Sequence, residues 1–160
     1  MDGHPQVLQR LQAQLKVLLT NINQTFVHYR MLQHWGLGGL GKVEYKASIK
    51  AMKQADDLMA RIFLLDGLPN LQDLGKLRIG EDVPELLDCD LALERESRQT
   101  LVHGIATCEQ LGDFVSRDLL REILDDVEER IDFLETQLAL CEEMGLPNYL
   151  QSQMSEAAAH

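Results

Sequence analysis

The chain has 160 residues, enough for one domain with a substantial core. It is 45% hydrophobic but only 5% aromatic, with four prolines placed mostly outside long helical runs, a balance that suits helices better than a β-sandwich. A net charge of −11 argues against nucleic acid as a partner and for a well-solvated or cation-handling surface.

The first expected helix spans residues 5–35, with Leu8, Leu11, Leu15, Leu18, Ile22, Phe26 and Tyr29 at spacings of three and four. Pro5 suits its first turn, and the GLGGLG run from Gly36 stops it. The second helix, residues 43–66, carries two apolar stripes. Ala47, Ala51, Gln54, Leu58, Ile62 and Leu65 mark one face; Tyr45, Ile49, Met52, Met59 and Phe63 mark another. One stripe can face a core within the chain, and the other needs a cover from elsewhere. Gly67 and Pro69 end this helix.

Residues 67–82 form a connection long enough to cross a bundle from end to end. Asp82 then reads as an N-cap, with Pro84 in the first turn and Glu85 at the capping-box position. The third helix, 83–111, places Leu87, Leu91, Glu94, Arg98, Leu101, Ile105 and Cys108 on one stripe. After a break at Gly112, the fourth helix, 114–144, repeats Leu120, Leu124, Val127, Ile131, Leu134, Leu138 and Cys141 in heptads. Gly145 caps it, a short fifth helix follows at 147–155, and the terminal SEAAAH is expected to fray.

The fold class is therefore all-α: a four-helix bundle with one long crossover and a short C-terminal helix, in a single domain 1–160. Cys89, Cys108 and Cys141 lack metal-ligand spacing and read as core residues of a reduced, cytoplasmic protein. Neither a signal peptide nor a membrane span is expected.

The stretches VEYKASIKAMKQAD, GLPNLQDLGKLRIGEDVPELL, DLALE and MGLPNYLQSQ together resemble bacterioferritin, the haem-carrying branch of the ferritin-like bundles, and the resemblance runs end to end. It implies that Met52 is an axial ligand of haem b iron shared by two chains across a two-fold axis. Leu19, Asn23, Phe26, Tyr45 and Ile49 would line that pocket. A soft, uncharged thioether suits the role. The resemblance further implies a hollow 24-subunit shell holding ferric mineral. An associated ferredoxin would dock on the crossover, at Leu68, Asn70, Leu71, Asp73, Lys76, Leu77, Glu81 and Glu85. Asn148 and Gln151 would fall at four-fold channels, Glu109 and Asp118 at three-fold channels.

A ferritin-like di-iron centre takes carboxylates from two helices and a Glu-x-x-His pair from each of the other two. The resemblance places its six ligands where this chain has Leu18, Ala51, Gln54, Glu94, Val127 and Arg130. Only Glu94 is a ligand type, so the centre is expected to be lost, replaced by packed hydrocarbon, with no catalytic residue in this chain. His28, His34 and His103 show no carboxylates at ligand spacing. Lys46 and Lys50 stand where relatives with an inner iron site have a histidine and an acid, and would repel ferrous iron.

The implied function is a haem-binding iron-storage subunit, mixed with a second, ferroxidase-competent bacterioferritin subunit. The alternatives are a ferroxidase in its own right and a shell subunit with neither haem nor iron site. Glu94, without metals, is expected to pair with Arg130, with Arg98 one turn along its own helix, or with both; otherwise the arginines reach solvent and Glu94 is protonated or hydrated.

Overall fold

The computed structural model describes residues 1–154. Four long helices form the bundle: α1 (Pro5–His34), α2 (Gly38–Leu64), α3 (Val83–Gln110) and α4 (Phe114–Met144); α5 (Leu146–Ser152) is short. At 1.5 Å per residue the long helices measure roughly 40–47 Å. Among the described residues there is no strand. No described helix is long and apolar enough to cross a membrane. The ends form as local chemistry dictates. Asp82 Oδ1 accepts the Glu85 N–H at 2.9 Å, and Asp113 Oδ1 accepts the Ser116 N–H at 2.9 Å. Asp113 Oδ1 also accepts from Arg61 Nη2 at 2.9 Å, which ties the end of α2 to the start of α4.

The second and fifth helices differ most from expectation, while the ends of the first and third move by one residue. The second helix begins at Gly38 rather than at residue 43, because the glycine run is a packing device and not a loop. Gly39 donates its N–H to Gln153 O at 2.9 Å, and a Cβ there would lie 3.0 Å from that same carbonyl oxygen. Leu40, beside it, is fully buried. The fifth helix runs Leu146–Ser152 rather than 147–155; residue 155 and the terminal SEAAAH lie outside the described residues.

Helix α1 packs chiefly on α2 and α3, and α3 on α4, whereas direct contact between α2 and α4 is sparse. One core cluster joins Leu11, Leu15, Leu18, Ala51, Leu58, Leu101, Leu120 and Val127. A second gathers Leu32, Leu40, Leu86, Leu87, Leu134 and Cys141 around Tyr149 of α5, whose hydroxyl donates to Gln137 Oε1 at 2.7 Å.

Between α2 and α3 an extended strap climbs along α1. Its backbone needs partners that no sheet provides, and α1 supplies them at intervals of four residues. Gly75 N–H donates to Thr20 Oγ1 at 3.0 Å, Arg78 N–H to Gln24 Oε1 at 3.0 Å, and Gly80 N–H to His28 Nε2 at 3.1 Å. This polar stripe on α1 lies beside the leucine stripe and brings His28 into the bundle interior.

Candidate functional site

The seam where α2 and α4 barely touch holds a cavity of about 260 Å³, lined among others by Leu18, Ala51, Gln54, Glu94, Val127 and Arg130. The expected replacement of the centre by hydrocarbon is thus only partial. Leu18, Ala51 and Val127 are buried in the first core cluster, yet trading long side chains for Ala51 and Val127 leaves space unfilled.

Glu94 is buried, and its Oε1 accepts from Asn21 Nδ2 at 2.8 Å. Burial raises its pKa, opposed by the nearby Arg130 charge and by Asn21. Gln54 turns to Asp126, donating to Oδ2 at 3.0 Å, and Lys50 Nζ bridges to Oδ1 of the same carboxylate at 3.0 Å. One carboxylate, one amide, three apolar side chains and a guanidinium do not fit a pair of irons. The donors are too few, and the guanidinium is itself a cation.

Arg130 does not pair with Glu94. Its Nη2 donates to Glu44 Oε2 in a close contact and reaches Asp90 Oδ2 at 3.4 Å. Arg98 also points elsewhere: it is exposed on the bundle surface, where its Nε donates to Glu128 Oε2 at 2.9 Å. The i, i+4 spacing brought Arg98 within range of Glu94, but the helix turned its head to solvent. The pairing of Arg130 was decided by α2, which brings Glu44 to it across the bundle.

His28 completes the group. Its Nδ1 lies 2.9 Å from Asp90 Oδ1 and 3.6 Å from Glu44 Oε1, and all three residues are buried. Gln24 Nε2 donates to Asp90 Oδ1 at 3.0 Å. Burial works against all the charges. For Glu44 that rise is overcome by the Arg130 charge and by hydrogen bonds, which hold the carboxyl down at about 2. Asp90, pushed up by burial and then by the Glu44 charge, stands at about 7. For His28, burial lowers the pKa while the hydrogen bonds and charges of Asp90 and Glu44 raise it. The Gly80 N–H acts in the opposite sense, because it needs a lone pair on Nε2. An imidazolium would set two N–H groups against each other across 3.1 Å, so the docked strap holds the ring neutral, with Nδ1–H donating to Asp90.

The second stripe of α2 forms an apolar face at the surface. Met52 is 51% exposed, Phe63 57%, Phe26 46% and Tyr45 41%, with Leu19, Ile49 and Met59 half-buried among them. Tyr29 lies with its ring 5.6 Å from Phe26 and 5.0 Å from Tyr45. Asn23 is exposed at the edge, its side chain donating to Leu19 O at 3.0 Å. An exposed thioether among aromatic and aliphatic groups fits a flat apolar cofactor.

The ferritin-like domain family matches residues 8–144. A bacterioferritin of Brucella melitensis is 43% identical over 157 residues, covering 98% of each chain. One from Mycobacterium leprae is 44% identical over 145 residues, covering 91% of each, and a bacterial ferritin of Pseudomonas aeruginosa is 44% identical over 155 residues, covering 96% of this chain and all of the relative. The chain belongs to the bacterioferritins.

Within this bacterioferritin, the residues expected at the crossover and at the channels lie at the surface, whereas Cys108 and Cys141 are buried in the core as expected. On the crossover Leu68, Leu71 and Leu77 are exposed. Arg117 pairs with Asp118 at 2.7 Å and with Glu109 at 3.5 Å. Asn148 donates to Met144 O at 2.9 Å, and Gln151 lines a groove with Trp35, Leu37 and Pro147. The sequence reading missed Asn21, Gln24, Glu44 and Asp90, and it set His28 aside as lacking carboxylate partners, whereas the fold brings Asp90 and Glu44 to its ring from α3 and α2. A signal was present: Gln24 and His28 share a helix face four residues apart, and Asp90 precedes Glu94 by one turn.

Proposed function

We propose that this chain is an iron-storage subunit that binds haem b at a two-fold interface and has lost its own ferroxidase centre. The observation that carries the loss is the donor set around the 260 Å³ cavity: Leu18, Ala51 and Val127 apolar, Gln54 tied to Asp126, and Arg130 tied to Glu44 and Asp90. Glu94 alone cannot chelate two irons. Met52, with Leu19, Phe26, Tyr45 and Ile49 around it, would hold the haem, which supplies one-electron redox chemistry when bound. The subunit builds part of a cytoplasmic 24-subunit shell around ferric mineral. A second bacterioferritin subunit with all its ligands oxidises the iron, and an associated ferredoxin returns electrons through the exposed leucines of the crossover.

Stopped-flow oxidation of ferrous iron tests this. The homopolymer is expected to lack the rapid phase, and mixed shells to oxidise in proportion to the ligand-complete subunit. Rapid oxidation by this chain alone, abolished by Glu94→Ala, would overturn the reading.

A further inference from the structure

Two amides of the strap are joined to one buried carboxylate oxygen by relays through α1. Arg78 N–H donates to Gln24 Oε1 at 3.0 Å, and Gln24 Nε2 donates to Asp90 Oδ1 at 3.0 Å. One turn on, Gly80 N–H donates to His28 Nε2 at 3.1 Å, and His28 Nδ1 lies 2.9 Å from the same Asp90 Oδ1. Both relays therefore end on a single oxygen, in a side chain that is all but fully buried. The Gly75 rung lower on the strap differs. Its acceptor is Thr20 Oγ1, which donates in turn to Lys16 O, and no titratable group takes part.

The relays close in one proton state only. Every hydrogen in them points from the strap toward Asp90, so Nε2 has to be bare and Oδ1 unprotonated. A proton on Nε2 meets the Gly80 N–H head-on, and a proton on Oδ1 meets two incoming N–H groups. On Oδ2 it would face the Arg130 guanidinium, 3.4 Å away. Charges reach the pair from each neighbouring element. Glu44 of α2 places Oε1 3.6 Å from His28 Nδ1, and that oxygen has no hydrogen-bond partner. Arg130 of α4 binds Glu44 Oε2 and Asp90 Oδ2. Glu94 stands one turn along α3, held by Asn21, and Arg78 of the strap turns its side chain outward to Glu96 at 3.5 Å. Glu44 thus draws a proton toward the ring, while Arg130 and the strap amides oppose it. Burial and the Glu44 charge push Asp90 up to about 7, and for His28 the pull of Asp90 and Glu44 overcomes burial, so the pair takes its proton close to neutrality. The step belongs to the pair rather than to either residue.

We propose that His28 and Asp90 form a proton-operated latch on the crossover: one proton taken up by the pair unseats Gly80 and Arg78 and frees the upper strap, while the Gly75 rung stays closed. Leu77 and Ile79, exposed on either side of Arg78, move with the freed segment, so the same proton alters the apolar surface that the strap presents. The latch goes beyond the proposed function and does not depend on it, since neither haem nor iron enters its chemistry.

Hydrogen exchange of the assembled shell, resolved to single amides between pH 8 and 5 and divided by the intrinsic rates, tests it. The latched state holds one proton fewer than the open one, so latching weakens as pH falls. Protection of the Gly80 and Arg78 amides should drop relative to Gly75, by up to about tenfold per pH unit. A ratio that stays constant across this range in the parent would overturn the latch, without need of any variant. Asp90→Asn keeps an oxygen for both relays but takes no proton and pulls less on the ring, so the drop should move to lower pH. If that variant does not assemble, His28→Gln takes its place, because loss of either member has to change a step that belongs to the pair. A drop at unchanged pH in the variant would place the sensor elsewhere and overturn the assignment.

Discussion

Asp90 is held between opposing demands. Burial and the neighbouring Glu44 charge keep its pKa near 7, while His28, Gln24 and Arg130 offer it donors. A folded pKa above the ordinary carboxylate value means that the folded chain keeps a proton the unfolded chain has released. From about pH 4 to 7, stability therefore falls as pH rises, by at most about 1.4 kcal/mol per pH unit for one proton. Glu44 acts oppositely: held down at about 2, its contribution is complete above the ordinary value and is lost as pH falls toward 2. Asp90→Asn removes the first effect while keeping an oxygen for Gln24 and His28. Thermal midpoints measured from pH 4 to 7 should therefore slope less in the variant than in the parent, and parallel profiles would show that Asp90 does not titrate in this window. This chemistry was only half legible in the sequence. Glu94 was visible because a carboxylate interrupts a stripe of leucines. Glu44 and Asp90 lie 46 positions apart on different helices, and only the packed bundle brings them to Arg130. Periodicity finds a helix's faces but does not say which two faces meet.

The helices themselves were readable, because long amphipathic segments with caps leave few alternatives. The crossover was readable as a long connection, but its course was not, since an extended strap has no periodicity of its own and follows whatever polar side chains α1 presents. Gly80 is where that strap is most tightly held. A Cβ there would sit 2.3 Å from the Leu86 backbone nitrogen and 2.4 Å from Leu86 Cα, and neither can move without shifting the start of α3. Gly80→Ala should therefore destabilise the chain by about 3 kcal/mol, at the upper end of overpacking costs, and should free the Gly80 N–H from His28. Gly36 gives the control. Its φ is +78° with nothing within 4 Å of a Cβ, so Gly36→Ala costs only the left-handed strain, about 1–2 kcal/mol. Urea unfolding of both variants checks the order, and faster proteolysis at residues 68–79 in Gly80→Ala alone checks the cause. Equal losses with no change in proteolysis would mean that the strap is not anchored at Gly80.

At the scale of the whole molecule, the unanswered demand is the second apolar stripe of α2. Met52, Phe26, Tyr45 and Phe63 stand together in the open, and soluble chains rarely leave such a patch uncovered without a binding role. A two-fold axis is the economical cover, because an isologous contact sets the same patch against itself and brings two Met52 side chains to one place. Covering the patch and ligating haem are separable requirements. Met52→Leu keeps the apolar volume and removes only the sulfur, at a cost in packing below about 1.5 kcal/mol. Met52→Lys puts a charge into the same contact, where its partner copy would carry a like charge opposite. The expected outcome is that Met52→Leu shells assemble at full size but lose the absorption spectrum of a bis-methionine haem, while Met52→Lys weakens the dimer itself. Size-exclusion chromatography with light scattering reads assembly, and the visible and near-infrared spectrum reads ligation. If haem with that spectrum persists in Met52→Leu, the thioether is not the ligand. If Met52→Lys assembles as well as the parent, the stripe is not the interface, and its cover has to be sought in a different partner.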